Sequence, residues 1–195
     1  MSLAPEHGVA TKLNLGCGFD KREGWLNVDN FAACEPDRLL DLETTPWDLP
    51  SDAFEHVLLK HVLEHVGAAF PVFASVMQEL YRVTAPGGIV EIHVPHIRHD
   101  SYWTDPTHVR PFTLETFQMF SKRANRDWAQ SKANVSLIAL MIDVDFELEH
   151  AEQTYEAEWS RKLRAGEVSP AELYEISRSR WNVAREIQVR LRAVK

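Results

Sequence analysis

The chain has 195 residues, 45% of them hydrophobic and 26% charged, and its 29 acidic and 21 basic residues give a net charge of −8. This composition fits one globular domain with a substantial core, and the acidic balance argues against a dedicated nucleic-acid binder. No apolar run reaches the roughly 18–20 residues of a membrane helix, and Met1–Ala10 lacks the pattern of a signal peptide. Cys17 and Cys34 are too few for a disulfide framework or a cysteine zinc site. We therefore expect a cytoplasmic, single-domain protein.

The first 60 residues contain four short strand-like segments. Lys12–Leu15 is an apolar-rich run that ends at Gly16-Cys17-Gly18, which is typical of a strand leading into a glycine turn. Further strands are predicted at Trp25–Asp29, Arg38–Leu42 and Phe54–Leu59. The last of these ends in a continuous apolar stretch, as expected for a strand that is buried on both faces of a parallel sheet.

The middle of the chain alternates between helix and strand patterns. Apolar residues at helical spacing predict a helix over Ala68–Val83 that stops at Ala85–Gly88, and Ile89–Val94 follows as a fifth strand. Strands that alternate with crossovers predict a right-handed parallel α/β sheet. His96–Pro111 is polar and interrupted by prolines, so we predict a loop there. A short helix is predicted over Thr113–Ser121, with Thr113 as its cap.

The last third of the chain has two segments with period-two alternation, which is typical of strands. Ile142–Glu149 alternates apolar residues with acids, and Glu186–Ala193 alternates them with mainly basic residues. Two helices are predicted between these strands, around Thr154–Leu163 and from Ser169 onward. Residues 1–150 hold 12 basic and 22 acidic groups, whereas residues 151–195 hold nine and seven. A basic tail on an acidic body would explain this asymmetry, but we predict instead that the acidic and basic strands pair.

The glycine turn and the acid at the end of the second strand indicate a nucleotide site. Glycine lets the backbone approach a ligand, and a carboxylate at the tip of the next strand can accept hydrogen bonds from ribose hydroxyls. A dinucleotide fingerprint would need a glycine where Lys21 stands, and its acid would lie about 20 residues on. Here Asp29 follows Gly18 by only eleven residues. A ligand with a ribose but no pyrophosphate fits this spacing better.

Several segments, in this order, resemble the motifs of class I S-adenosylmethionine-dependent methyltransferases, in particular the small predicted methyltransferases with a short first helix. They are Leu13–Gly18, Trp25–Asp29, Asp41-Leu42, Phe54–His65 and Leu80–Gly88. The resemblance covers about residues 12–95. It implies a Rossmann-like sheet of five parallel strands plus a C-terminal antiparallel pair, with helices on both faces, and S-adenosylmethionine as the cofactor. The compressed Phe19–Gly24 segment departs from the family and leaves little room for the usual first helix.

The resemblance also implies which residues hold the cofactor. It assigns Leu15, Gly16, Cys17 and Gly18 to the methionine part, Asp29 to the ribose hydroxyls, Asp41 and Leu42 to the adenine, and Lys60 and His61 to the region of the sulfonium. Taken without the resemblance, Asp29 could simply end a strand and Asp41 could be a surface acid. Cys17 is better explained as a small apolar filler of the turn than as a nucleophile.

Seven of the nine histidines lie between His56 and His108, beside the expected ligand edge of the sheet. Methyl transfer to a hydroxyl or an amine can require a base, and histidine is suited to that role near neutral pH. His61, His96 and His108 are therefore the predicted catalytic residues. The His93-x₂-His96-x₂-His99 spacing invites a metal site, but alternate side chains of a strand point to opposite faces. We therefore predict no metal there.

The polar, aromatic loop after the fifth strand is the predicted acceptor-binding segment. The predicted substrate contacts are His65, His99, Tyr102, Trp103, Asp105, His108 and Arg110. A turn with local ion pairs is the alternative explanation of this loop. We expect O-methylation of a small molecule or saccharide, not nucleic acid or membrane, and the sequence leaves a homo-oligomer open. The rival functions are a non-catalytic binding module and the transfer of another group from a related cofactor.

We expect one domain over residues 1–195. It comprises a cofactor core at 12–95, a substrate-side loop and helix at 96–135, and a C-terminal strand pair with a helical insertion at 142–195.

Overall fold

A computed structural model describes residues 10–195, so nearly all of the Met1–Ala10 segment considered for a signal peptide lies outside the described residues. The described chain forms one seven-stranded sheet in the order β3-β2-β1-β4-β5-β7-β6. Its strands are β1 (Lys12–Leu15), β2 (Leu26–Asp29), β3 (Arg38–Leu39), β4 (Phe54–Lys60), β5 (Thr84–Pro95), β6 (Phe146–Tyr155) and β7 (Ala184–Ala193). Neighbours among β1–β5 pair in parallel, and β7 pairs antiparallel with both β5 and β6. This confirms the predicted five parallel strands followed by an antiparallel pair.

Seven helices accompany the sheet in the described part of the chain. They are α1 (Phe70–Val83), α2 (Asp100–Thr104), α3 (Leu114–Gln118), α4 (Lys122–Gln130), α5 (Ile138–Met141), α6 (Ala157–Arg164) and α7 (Pro170–Ser179). Short 3₁₀ turns cover Ala32–Cys34 and Leu63–His65. The apolar stripe of α1, including Met77 and Leu80, packs in the main core with Val90 and Ile92 of β5. Within the described residues, no helix has the length and apolar character needed to cross a membrane.

The structure corrects several predicted boundaries in the parallel half. The third strand ends at Leu39 rather than Leu42, because the Asp41 side chain accepts hydrogen bonds from Glu43 N–H and the Thr44 hydroxyl and forms a turn. The fifth strand begins at Thr84, so it includes the Pro-Gly-Gly segment, which lies beside a register shift against β4. The segment predicted as a loop contains α2, whose N-terminus is capped by the His99 side chain.

The C-terminal third differs more from its prediction. β6 starts at Phe146 rather than Ile142 and runs to Tyr155, because α5 fills the positions before it and Asp143 adopts a left-handed backbone conformation with φ +53°. The helix predicted from Thr154 therefore begins only at Ala157. The polar helix α4, which Ser121 caps, was not predicted.

The predicted pairing of the acidic and basic strands is confirmed. Glu147 lies opposite Arg192 across β6 and β7, and Arg192 forms an ion pair with Glu149. Arg190 instead has its carboxylate partner on β5, with its Nε 3.4 Å from Glu91. The strand pair has a further consequence for the site. Because β7 is antiparallel to β5, its first residues lie beside the carboxyl end of β5, with Glu186 opposite Pro95.

Candidate functional site

Two adjacent cavities open at the edge where the parallel strands end. The first, here called the glycine-turn cavity, has a volume of about 500 Å³ and is lined by residues that follow β1, β2, β3 and β4. The second, here called the histidine cavity, has a volume of about 430 Å³ and is lined by residues from 61–65, 95–108, 154 and 185–186. His61 and His65 line both cavities. The two histidines therefore form a shared wall between two ligand-sized spaces.

The glycine turn permits a close approach of two chain segments. Gly16 has φ +63°, and a Cβ atom built on it would lie 2.4 Å from a methyl carbon of Val62. Any larger residue would therefore combine backbone strain with a clash. The turn is also fixed from β2, because the Gly18 N–H donates to Asp29 Oδ2 over 2.8 Å.

Asp29 lies at the tip of β2 and lines the glycine-turn cavity. Its Oδ1 accepts a second backbone hydrogen bond, from Phe31 N–H at 2.8 Å. A carboxylate has about four lone-pair sites, so two backbone bonds fix its orientation and leave capacity for a ligand. The arrangement presents a preoriented hydrogen-bond acceptor at the end of the second strand.

The lining of this cavity fits a nucleoside better than a phosphate. It includes the carboxylates of Asp29, Asp41 and Glu43, and among its described residues there is no lysine or arginine. Leu42, which is buried, adds an apolar surface. Such a set can accept hydrogen bonds from hydroxyl and amino groups, whereas a phosphate needs cations or free backbone N–H groups. The His61 imidazole in the lining is already paired with Glu186 and Glu64. The donor and acceptor chemistry therefore fits the adenosine part of S-adenosylmethionine.

The structure brings together part of the predicted cofactor set. Gly16, Asp29, Asp41, Leu42 and His61 line the cavity, as does His65, which was predicted as a substrate contact. Sequence reasoning missed the other lining residues: Asn30, Leu40, Glu43, Val62 and Val66.

The remaining predicted cofactor residues, Leu15, Cys17, Gly18 and Lys60, are not among the lining residues. Leu15 is in the core, and Cys17 is buried, which raises the pKa of its thiol to about 11. Lys60 Nζ lies 3.0 Å from Asp20 Oδ2.

His61 is a fixed cation rather than a free base. Its Nε2 lies 2.7 Å from Glu186, and its Nδ1 lies 3.5 Å from Glu64 Oε1. Pairing with Glu186, and then with Glu64, raises the pKa of His61 to about 9. At neutral pH the imidazole therefore holds a proton, and this geometry does not favour the predicted role of His61 as a proton acceptor.

His96 has the opposite electrostatics. It is buried and its Nδ1 accepts a hydrogen bond from the Arg98 N–H at 3.1 Å. Burial, with a smaller effect of Arg98 and His99, lowers the pKa of His96 to about 4. The backbone N–H of His96 donates to the Arg185 carbonyl at 3.0 Å and so connects the end of β5 to β7. His96 is not among the residues that line either cavity.

Glu64, His65 and His108 form what we call the polar end of the histidine cavity. The Glu64 side chain is only 1% exposed, and within the described chain neither of its carboxylate oxygens has a hydrogen-bond partner. His108 Nε2 lies 4.0 Å from Glu64 Oε1, and the His65 and His108 rings meet edge to face with centroids 4.5 Å apart. A buried carboxylate without a partner is unfavourable, so the polar end calls for a ligand that completes it.

The other predicted substrate residues divide between this cavity and the scaffold. Asp105 lines the cavity. Tyr102 is buried, and its carbonyl oxygen lies 2.6 Å from His108 Nδ1. Trp103 is exposed, with its indole N–H donating to the Ile97 carbonyl.

His99 and Arg110 are also held by the scaffold. His99 contacts Ser101 and Glu156 and borders a separate groove. The Arg110 guanidinium lies 4.1 Å from the centroid of the Phe73 ring and donates to the Gly67 carbonyl. These contacts hold His99 and Arg110 on the scaffold, but they are not the local ion pairs of the alternative explanation, because Glu156 and the partners of Arg110 are distant in sequence.

Sequence reasoning missed several residues of the histidine cavity, namely Glu64, Pro95, Ser101, Thr154, Arg185 and Glu186. Glu64 carried a usable signal, because it stands between two candidate histidines in the His61–His65 segment. Thr154, Arg185 and Glu186 carried none, since only the antiparallel return of β7 brings them to this edge.

Comparisons with known proteins show the fold, and one family model matches part of the chain. Residues 13–92 match the family model of a methyltransferase domain. The crystal structure of a SAM-dependent methyltransferase from Archaeoglobus fulgidus has a TM-score of 0.57 and 17% identity, over 95% of this chain and 86% of that one. A second such enzyme, from Mesorhizobium loti, has a TM-score of 0.50 and 20% identity, over 97% and 93%.

A third structure was solved with ligands bound. It is that of phosphoethanolamine N-methyltransferase 2 from Haemonchus contortus, in complex with phosphomonomethylethanolamine and S-adenosylhomocysteine. It has a TM-score of 0.56 and 14% identity, over 98% of this chain and 50% of that one. No curated protein has a significant match in sequence. At these identities the structural likeness shows the fold alone, and the methyltransferase family model matches less than half of the chain.

Proposed function

We propose that the chain is a methyltransferase of the class I fold that uses S-adenosylmethionine, and that it methylates a hydroxyl group of a small molecule or saccharide. The observation that carries the proposal is the shared wall of His61 and His65 between the two cavities. When bound, S-adenosylmethionine supplies a methyl group on a positively charged sulfur. Two adjoining sites can hold a methyl donor and an acceptor side by side, and proximity of this kind accounts for much of the rate.

The glycine-turn cavity is the proposed cofactor site. Asp29 would accept hydrogen bonds from the ribose hydroxyls, and Asp41 with Leu42 would contact the adenine. Gly16 would allow the backbone to approach the cofactor. Support comes from the position of these residues in one cavity and from its lack of lysine and arginine among the described lining residues.

The histidine cavity is the proposed acceptor site. Its carboxylates, Glu64, Asp105 and Glu186, accept hydrogen bonds, and the hydroxyl groups of Ser101 and Thr154 can donate or accept them. A hydroxylated acceptor would donate a hydrogen bond to the buried Glu64 carboxylate, which has no hydrogen-bond partner in the described chain. The volume of about 430 Å³ fits a small molecule or one sugar unit rather than a macromolecular segment.

Within this site we assign different roles to the three predicted catalytic histidines. His108, at the polar end, would contact the hydroxyl that receives the methyl group. His61 would stay protonated between Glu186 and Glu64 and position the wall that both ligands share. His96 would support the acceptor site by connecting β5 to β7, without touching the reactants.

The test combines cofactor binding with a screen for methyl incorporation. Calorimetry would measure S-adenosylmethionine binding to the wild type. Radiolabelled cofactor would then be offered with nucleotide sugars, small metabolites, lipids and proteins, each hydroxylated acceptor being matched by an amine or a deoxy analogue. We expect label in a hydroxylated small molecule or saccharide and not in its deoxy analogue. Transfer to amines, lipids or proteins alone would refute the proposed acceptor class. Cofactor binding without transfer to any acceptor would favour a binding module.

A further inference from the structure

We propose that Glu64, His65 and His108 bind a divalent transition-metal ion of the Zn²⁺ class at the polar end of the histidine cavity. One candidate ligand atom from each residue lies within 4.8 Å of the other two. The segments come from the turn after β4 and from the loop before α3, so the fold, not a local sequence motif, gathers them. The inference rests on the proposed function for its role only: the ion would lie between the polar end and the acceptor hydroxyl, and it would replace the direct contacts of Glu64 and His108 with that hydroxyl.

The hydrogen bonds of His108 leave one ring nitrogen free to act as a ligand. His108 Nδ1 lies 2.6 Å from the Tyr102 carbonyl oxygen. A carbonyl can only accept, so Nδ1 carries the hydrogen and Nε2 of the neutral ring has a free lone pair. That nitrogen is the atom 4.0 Å from Glu64 Oε1. Metal-binding histidines are commonly oriented in this way, by a bond from the other ring nitrogen to a backbone carbonyl.

His65 is oriented by a side-chain relay. Thr107 Oγ1 donates its single hydrogen to Asp105 Oδ1 at 2.6 Å, so it must accept at its contact with His65 Nδ1, 2.8 Å away. His65 Nδ1 therefore carries the hydrogen, which leaves Nε2 as a ligand. This carboxylate–hydroxyl–histidine chain supports a metal ligand in the same way as a direct carboxylate–histidine contact.

Glu64 supplies the independent indication that a ligand is missing. Its side chain is 1% exposed, it lines the cavity, and in the described residues its oxygens receive no hydrogen bond. His61 Nδ1, at 3.5 Å from Oε1, is the nearby cation. Because His61 also pairs with Glu186 at 2.7 Å, it keeps a counter-ion if Glu64 turns to a metal. A buried carboxylate is stabilised when it is paired or coordinates a metal.

The distances allow coordination once the side chains have moved closer together. In a tetrahedral site with bonds of about 2.0–2.2 Å to nitrogen and oxygen, two ligands of one ion lie about 3.3–3.6 Å apart. The 4.0 Å contact between Glu64 and His108 would therefore shorten by about half an ångström, and a pair at the outer 4.8 Å bound would shorten by a little more than about 1 Å. Two imidazoles and one carboxylate form a donor set that Zn²⁺ takes in sites with an open position. That position would face the acceptor cavity.

The test is a calorimetric titration of the chelator-treated, cofactor-free protein with Zn²⁺. We expect one site in the wild type and more than about 100-fold weaker binding in His65→Gln and in His108→Gln, since loss of a direct ligand should exceed the about 10–100-fold effect of supporting groups. Thr107→Val, which breaks the relay but removes no ligand, should weaken binding by about 10–100-fold. His150→Gln is the matched control, because His150 is an exposed histidine beside a carboxylate, and it should bind as the wild type does.

Absence of Zn²⁺ binding by the wild type, or wild-type affinity in both histidine variants, would overturn the proposal. Thermal melting of each variant would verify its fold, and the d–d absorption of added Co²⁺ would report ligation directly, lost in His108→Gln and kept in His150→Gln. The same samples would be titrated with S-adenosylmethionine. If the protein bound the cofactor and transferred methyl groups but bound no Zn²⁺, the metal inference alone would be refuted. Asp29→Ala should lose the cofactor and keep the metal, which separates the two failures.

Discussion

The two cavities differ in how the chain builds them. All residues of the glycine-turn cavity lie between Gly16 and Val66, at the ends of neighbouring parallel strands. The histidine cavity draws on four segments that reach from His61 to Glu186, and the antiparallel strand β7 closes it. One site is therefore specified by local turns along a short sequence, and the other by long-range return of the chain. The difference explains why one could be anticipated from residue spacing and the other could not.

The largest effect is expected from a change in the glycine-turn cavity, the proposed cofactor site. Asp29→Ala should weaken S-adenosylmethionine binding at least about 100-fold, because hydrogen bonds to a charged group contribute roughly 1.5–3 kcal/mol each. Calorimetry would measure the change. Asp48→Ala, which removes a fully exposed carboxylate outside the cavity, is the control and should bind normally. Equal affinity in Asp29→Ala and wild type would show that the cofactor does not bind in this cavity.

A change at the acceptor side should leave cofactor binding intact. Glu64→Gln removes the buried charge at the polar end and should lower kcat/KM for the acceptor by about 10–100-fold, with the cofactor affinity unchanged. Steady-state kinetics and calorimetry on the same preparation would show both. Glu55→Gln, at an exposed position on β4, is the matched control. If cofactor affinity fell together with kcat/KM, the two cavities would not be separate sites.

The whole protein should lose stability in acid, because His96, which directly follows Pro95 of the histidine cavity lining, is buried in its neutral form. The pKa of His96 is about 4 in the folded protein against an ordinary value of 6.5. Between these values the unfolded chain binds a proton that the folded protein excludes, so the free energy of unfolding decreases as the pH falls. The contribution is about 1.3 kcal/mol between pH 7.5 and 5.5.

Urea denaturation at the two pH values would measure this effect. His96→Gln should reduce the pH dependence by that amount, whereas His150→Gln should retain it. The same pH dependence in wild type and His96→Gln would show that burial does not suppress the charge of His96.

The smallest expected effect concerns a residue at the rim. Lys60 is paired with Asp20 on the surface, although the family resemblance places it beside the sulfonium. Exposed pairs of this kind contribute little, so Lys60→Ala should change cofactor affinity by less than about threefold. Calorimetry of Lys60→Ala and Asp29→Ala under the same conditions would compare their cofactor affinities. A loss of cofactor affinity as large as that of Asp29→Ala would show that Lys60 contacts the cofactor.

The sequence predicted the parallel strands, the glycine turn and the position of Asp29 because each depends on a few neighbouring residues. It also predicted the β6–β7 pairing, since alternating charges mark both strands. The shift of β6 from Ile142 to Phe146 could not be predicted, because α5 and the backbone of Asp143 decide it. The protonation states of the histidines could not be predicted from the sequence either. His61 and His96 look alike in sequence, but Glu186 raises the pKa of one and burial lowers that of the other.

The antiparallel return of β7 has a consequence for redesign of the molecule. Thr154, Arg185 and Glu186 line the histidine cavity, lie outside the domain match at 13–92, and are not among the residues that line the glycine-turn cavity. Glu186 does contact that lining, through its ion pair with His61. Substitutions in the C-terminal strand pair can therefore reshape the histidine cavity while the turns of the glycine-turn cavity stay in place, and His61 and His65 are the residues through which the two cavities meet.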